Sequence, residues 1–345
     1  MRVALLFAVS LSLASQTLAW NEKGHMAVAK LAWLELTPEQ RATATALLKS
    51  HSHYDEFLSA ERPDGADADE WTFMRPAYWP DWVRNHHAEE FNRPEWHYFT
   101  AAFVPPYSKL IPSDLAPVEP NSVTQVSVAL EKLRSGTDDE KPIYLCWLLH
   151  LVGDMHQPLH NCSLLSEAFP EGDKGGNLSL IRIEGGRPIK LHPMFDGLLG
   201  KDISFSLIGQ AAVETKQAEH DNAESIDTEL REHTTPAQWQ AEGFALAVKY
   251  AYLDGDLRPA NSEAKLSDDD VPNVAEVYAQ NAGRMARVQV AKAGKRLAAI
   301  LGESFGGTSD RTVGGQDFYG PHLRRSVTAA PNSPAHLATP TLDNA

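Results

Sequence analysis

The stretch Leu148-Leu149-His150-Leu151-Val152-Gly153-Asp154-Met155-His156-Gln157-Pro158-Leu159-His160 concentrates side chains able to do chemistry. His150 and Asp154 are four apart, so a helix stacks them on one face, one turn from each other. Pro158 ends or kinks that helix, and His160 follows just past the break, where a loop can fold it back. The preceding run Ile143-Tyr144-Leu145-Cys146-Trp147-Leu148-Leu149 is apolar and reads as a buried helix. An imidazole and a carboxylate on a buried face are costly without a partner, and a divalent metal is the natural one.

Other short patterns supply groups of the same kind. His192 and Asp196 are again four apart, in Leu191-His192-Pro193-Met194-Phe195-Asp196. His25 lies five residues beyond Trp20, Asp81 and Arg84 share Tyr78-Trp79-Pro80-Asp81-Trp82-Val83-Arg84, and His97 sits in Glu95-Trp96-His97-Tyr98-Phe99. Singly, each has an ordinary reading: a histidine among aromatic rings is more often a hydrogen-bonded core residue, and Asp81 with Arg84 a weak surface ion pair. The conjunction changes the balance. All the candidate donors are nitrogen or oxygen, which suits zinc and disfavours iron–sulfur clusters or copper(I).

These groups need a scaffold, and the patterning points to an all-α one. His25 to Leu36 has helical apolar spacing, and Thr37-Pro38-Glu39-Gln40 is a capping box with Pro at the first helical position, opening a helix to about Lys49. Val123–Leu133 and Lys141–Met155 read as helices, as do Leu198–His220, Pro236–Leu253 and a long Val271–Leu301. Tyr54 to Pro94, rich in Trp, Pro and acids, reads as an ordered loop with short helices. Leu178–Leu191 alternates around Glu184-Gly185-Gly186-Arg187, which predicts a small hairpin. The expectation is one mainly helical domain over residues 20–303 with a minor β-hairpin. Residues 304–345, rich in Gly, Pro, Ser and Thr, are expected to be disordered.

Residues 1–19 look like a secretory signal: Arg2, a short apolar run, then Thr17-Leu18-Ala19. Cleavage after Ala19 would make Trp20 the first residue and put the protein outside the cytoplasm, secreted or periplasmic. No later run reaches transmembrane length. The formal charge of -15, -16 without Arg2, argues against a non-specific duplex binder. It does not exclude a polyanionic substrate where cations supply the local field. Two cysteines, Cys146 and Cys162, exclude a disulfide scaffold and a Cys-based zinc site; a single bridge and two free thiols stay open.

The chain resembles the trinuclear-zinc, single-strand-specific nucleases, which include fungal nucleases S one and P one, plant bifunctional nucleases and bacterial relatives. The resemblance rests on Trp20-Asn21-x-x-Gly24-His25, Trp79-x-Asp81-x-x-Arg84, Trp96-His97-Tyr98, His150-x-x-x-Asp154-Met155-x-Gln157-Pro158-Leu159-His160, and Gly175-Gly176-Asn177 followed by Leu191-His192-x-x-x-Asp196. They occur in the family's order. The resemblance implies three zinc ions: one on Asp81, His97, His150 and Asp154; a second on the amino nitrogen and carbonyl of Trp20, His25 and a bridging Asp154; a third on His160, His192 and Asp196. It implies hydrolysis of single-stranded DNA and RNA to 5′-phosphorylated products and removal of 3′-phosphates from nucleotides. Arg84 would meet the phosphoryl oxygens and Tyr98 would stack a base.

Departures are Thr100, where some relatives carry an acid, Met194-Phe195 in place of a common Trp, and His156, which points away from Asp154 on a helix and is not counted as a ligand. Two other readings remain: a bacterial-type zinc phospholipase C, whose third zinc typically takes a glutamate where this chain has Asp196, and a helical metal-binding protein without catalysis. A monomer is the expected state.

Overall fold

The computed structural model describes residues 20–111, 117–201 and 204–306. The expected signal segment and the tail beyond residue 306 lie outside the described residues.

The chain enters helix α1 (Glu22–Glu35) through Asn21, whose side chain accepts from Gly24 N. The capping box forms as the sequence predicts: Thr37 Oγ1 accepts from Gln40 N and Gln40 Oε1 from Thr37 N, opening α2 (Pro38–Lys49). The Trp-rich segment is more helical than its composition suggests, with α3 (Ala68–Met74), α4 (Trp79–His86) and α5 (Ala88–Phe91) joined by tight single turns. Then come the two-residue strand β1 (Ala102–Phe103), α6 (Ser122–Ser135) and α7 (Glu140–Met155).

Helix α7 is the axis of the fold. Every residue from Leu145 to Met155 is buried, the pattern of a helix surrounded on all sides. Strand β2 (Ser163–Leu164) follows and pairs in parallel with β1. The predicted hairpin is present as β3 (Ser179–Ile183) and β4 (Pro188–Lys190), in the register Ile181 to Ile189. It leads directly into the short helix α8 (Leu191–Asp196).

The later helices depart from their expected bounds. The expected helix Leu198–His220 begins only at Phe205, as α9 (Phe205–Asp221), because Gly197 and Gly200, the latter with φ 92°, end the chain's turn after α8. A further helix, α10 (Ala223–Glu232), precedes α11 (Pro236–Leu246), which a π-helical turn extends to Ala251. Strand β5 (Ala260–Asn261) pairs antiparallel with β3. The expected start of the last helix at Val271 is instead β6 (Asn273–Val274), parallel to β3. Pro272 lacks an N–H and biases Val271 away from helix, while its carbonyl accepts from Arg182 N at 2.9 Å. Helix α12 (Glu276–Phe305) then runs back across α1. Gly294 makes that crossing close: a Cβ there would lie 2.6 Å from Leu31 Cβ.

Candidate metal centre

Each candidate side chain projects from an element already described. His25 comes from α1, Asp81 and Arg84 from α4, His150 and Asp154 from α7, and His192 and Asp196 from α8. His97 and His160 end single 3₁₀ turns, Pro94–His97 and Pro158–His160. The structure brings them together in adjoining groups: His25, His150 and Asp154; Asp81, His97 and His150; His160, His192 and Asp196.

Asp154 is the hub. Its Oδ1 lies 3.3 Å from His25 Nε2, and its Oδ2 lies 3.0 Å from His97 Nδ1 and 3.1 Å from His150 Nε2. His25 stacks on His150 with centroids 3.9 Å apart. Asp81 Oδ1 is 3.9 Å from both His97 Nδ1 and His150 Nε2, with Arg84 Nη2 at 3.0 Å. Both α7 groups, His150 and Asp154, are wholly buried.

Backbone carbonyls set the imidazole tautomers. His150 Nδ1 donates to Ala77 O at 2.7 Å, His160 Nδ1 to His97 O at 2.5 Å, and His192 Nδ1 to Gly175 O at 2.6 Å. Each ring thereby turns its Nε2 toward the cleft, His150 Nε2 lying 2.9 Å from His97 Nδ1 and His160 Nε2 3.2 Å from His192 Nε2, the orientation that metal-ligating histidines use. Gly175 can deliver its carbonyl only as glycine, since a Cβ there would meet Leu159 O at 2.4 Å and its φ is +61°. The buried Asp173 carboxylate fixes that loop by accepting from Leu164 N, Ser179 Oγ and Tyr252 Oη.

The donor set fits divalent cations. Among the described residues, Asp81 Oδ2, Asp154 Oδ1, His97 Nε2 and both His25 nitrogens are buried with no hydrogen-bond partner. Burial pushes the Asp154 carboxyl up to about 6 despite the His150 imidazole, and raises Asp196 well above the usual carboxylate range despite Gln157. Burial first, and neighbouring cationic groups second, hold His25, His97 and His160 far below the ordinary imidazole value. For His150, burial alone would lower the value, but Asp154 and Asp81 outweigh it and the ring is raised. Neutral imidazoles at His25, His97 and His160, beside Asp154 and Asp196 carboxyls that resist ionisation, leave this part of the pocket short of positive charge.

Two other histidines separate themselves by the same reasoning. His156 donates Nδ1–H to Val152 O and spends its Nε2 lone pair on Arg296, so it is no ligand. The nearby group His53, Glu56 and His87 also gathers ligand-type atoms. However, Trp79 Nε1 donates to His53 Nδ1 at 3.0 Å, which leaves the proton on Nε2 and removes the lone pair a metal needs.

Tyr98 is 36 % exposed beside the buried His97, its backbone held by Ser122 N donating to its carbonyl. Trp20 is fully buried against Gly24, where a Cβ would lie 2.6 Å from Trp20 Cβ. Cys146 and Cys162 are buried and not joined. Sequence reasoning missed three supports. Gly153 makes room for His25, whose Nδ1 would be 2.8 Å from an added Cβ; a glycine inside an apolar helix was its signal. Gln157 donates Nε2–H to Asp196 Oδ1 at 2.7 Å. The Ala77 carbonyl leaves no signal, because any residue type can supply it.

The S1/P1 Nuclease family model matches residues 20–306. Endonuclease 4 of Arabidopsis thaliana is 26% identical over 308 residues, covering 84% of this chain and 90% of the relative. Matched over most of its length, and carrying a buried cluster of nitrogen and oxygen donors, the chain belongs to the S1/P1 nuclease family.

Proposed function

We propose that this nuclease holds three zinc ions and cuts single-stranded DNA and RNA to 5′-phosphorylated products outside the cytoplasm, also removing 3′-phosphates from nucleotides. The observation that carries the reading is the clustering of His150, His160 and His192 with buried carboxylates, each ring oriented by an Nδ1–H bond to a carbonyl so that its Nε2 faces the cluster. Asp81, His97, His150 and Asp154 would hold one ion. His25, Asp154 and the amino nitrogen and carbonyl of a processed Trp20 would hold the second, and His160, His192 and Asp196 the third. A terminal amine has a pKa of about 7.7–8.0, so its lone pair is accessible near neutrality.

Bound in this pocket, such ions would acidify water and neutralise charge on a phosphodiester. The chain's own residues then orient the reaction. Arg84, held by Asp81 at 3.0 Å, presents a guanidinium fork to the phosphoryl oxygens. Tyr98, exposed beside His97, offers a base-stacking face that any base can use. A flexible strand can bring its phosphate down to buried donors, whereas a duplex holds its backbone outside. Gln157 keeps the Asp196 carboxylate turned inward.

The phospholipase reading is weaker because Asp196 stands where that family typically has glutamate, and because the family match is to the nucleases. The test is to purify the mature protein, determine its first residue and metal content, and compare turnover of single-stranded DNA, duplex DNA, a 3′-nucleotide and a phosphatidylcholine analogue. Three zinc ions, an N-terminal Trp20 and preference for single strands are expected. Fewer tightly held ions, or faster turnover of the lipid analogue, would overturn the proposal. So would full activity in a form with one residue added before Trp20.

A further inference from the structure

We propose that Arg296, on α12, is a positioning residue for the metal centre, acting through the His156 ring on the turn that carries Asp154, Gln157 and His160. The inference rests on the reading that Asp154 and His160 hold metal ions.

That turn is where α7 gives out. His156 N and Gln157 N bond back to the carbonyls of Gly153 and Asp154, three residues earlier in each case, and Pro158 contributes no N–H. A helix end of this kind frays unless its groups are tied elsewhere. Yet donors of the cleft lie on both sides of the break, with Asp154 before it and His160 after it. Their relative placement therefore depends on how the intervening residues are held.

On the cleft side the tie is Gln157, which donates to Asp196 and accepts from Leu159 N at 2.6 Å. On the far side the tie is His156, only 1 % exposed. Its Nδ1–H goes to Val152 O within its own helix, so its Nε2 accepts, and Arg296 Nη1 donates to it at 2.7 Å. Arg296 is itself fixed: Glu242 on α11 takes its fork, with Nη2 to Oε1 at 2.6 Å and Nη1 to Oε2 at 2.9 Å. Trp239 covers the guanidinium, 5.2 Å from its ring centroid. A chain of buried, oriented contacts thus runs from Glu242 through Arg296 and His156 to the residues between Asp154 and His160.

A purely structural role would be to dock α12, but Arg296 is not needed for that alone. Helix α12 packs along α1 at Gly294 and Leu31, and Lys292, 2 % exposed, ties it to Glu242 and Glu229. Arg296 also touches Trp239 and the His233 carbonyl on its own side of α12, but the contact that leads to the turn between Asp154 and His160 is the one to His156, and Lys292 makes none there. Lys292 is therefore the internal control.

The experiment compares Arg296→Met, Arg296→Lys, Lys292→Met, His156→Phe and the double variant His156→Phe/Arg296→Met, in the full chain. Readouts are zinc affinity by chelator competition, the visible absorption of the cobalt(II)-loaded protein, and kcat and KM on single-stranded DNA. Losing such an outer tie should cost about tenfold in zinc affinity and in kcat, at the low end for groups that orient ligands, with KM within about twofold. Arg296→Met should also shift the cobalt spectrum, and Arg296→Lys should recover part of each loss. Lys292→Met should lower thermal stability while leaving the spectrum and zinc affinity as in the parent. The double variant should lose no more than the worse single one, because both remove the same tie.

Equal effects of Arg296→Met and Lys292→Met on all three readouts would overturn the proposal, as would additive losses in the double variant. Should Arg296→Met not fold, Arg296→Lys and His156→Phe decide by the same readouts. A parent protein that binds no metal would overturn the metal reading itself. A metal-binding parent with an unshifted Arg296→Met spectrum would overturn only the positioning role.

Discussion

His160 and His192 aim their Nε2 atoms at each other across 3.2 Å, although each ring has already committed its Nδ1–H to a backbone carbonyl. Two facing lone pairs repel unless a cation lies between them. A proton is a poor candidate, because burial and the neighbouring His192 hold His160 well below the ordinary imidazole value. A metal ion shared with Asp196 would resolve the arrangement.

Stripping metal should therefore cost stability as well as activity. An ion present at a hundredfold excess over its Kd stabilises the folded state by about 2.7 kcal/mol, and three would contribute roughly 8 kcal/mol. A chain of this size moves by about 2–4 °C per kcal/mol, so a fall in Tm of roughly 15–30 °C is expected. Calorimetry before and after chelation measures it, and an unchanged Tm would rule the cluster out as a metal store of any strength.

Gly153→Ala should damage the site from within α7. In a helix interior the substitution ordinarily gains about 1 kcal/mol from propensity. Here the new methyl group would sit 2.8 Å from His25 Nδ1, and His25 is fully buried between Gly153 and His150. Overpacking of this kind costs about 1–3 kcal/mol, so the clash should win. Net destabilisation and weaker zinc binding at the His25 group are expected; a variant more stable than the parent, with full zinc, would refute the close approach.

How much of this was legible beforehand follows the range of each interaction. His150 with Asp154 and His192 with Asp196 were readable because a spacing of four on a helix is local information. The hairpin was readable because Gly185-Gly186 sits between alternating residues. The start of α12 was not, since Asn273–Val274 becomes a strand only by pairing with β3, ninety residues earlier in the chain. The ring nitrogens that face inward were not readable either. They are chosen by carbonyls of Ala77, His97 and Gly175, and a carbonyl carries no residue identity. His156 was set aside as a ligand on helical spacing alone, and its tie to Arg296, spanning 140 positions, has no sequence pattern.

Arg84 should matter to turnover more than to metal content. Asp81 holds its Nη2 at 3.0 Å, and a guanidinium is a rigid fork of five N–H donors whose geometry suits a phosphoryl oxygen. Removing one donor that meets charge developing in a transition state costs about 10²–10³ in kcat. Arg84→Gln, which keeps a hydrogen-bond donor for Asp81, should show that loss on single-stranded DNA with parental zinc content. Loss of zinc with little change in kcat per bound metal would assign Arg84 to holding Asp81 instead.

Glu242 gives the fold a pH limit on the acid side. Burial alone would raise its pKa, but the Arg296 fork and Lys292 outweigh burial and hold it at about 2. Its value is thus below that of the unfolded chain, so the stability it contributes is complete above about pH 4.5. It fades as pH falls from there through about 2. Glu242→Gln should accordingly unfold more easily than the parent at neutral pH, with buried Arg296 and Lys292 left short of negative charge. The difference should narrow below about pH 4.5 and vanish near pH 2. Chemical denaturation of the two metal-free proteins across that range measures it. A gap that stays constant with pH would mean that Glu242 stabilises α11 and α12 by packing, not by charge.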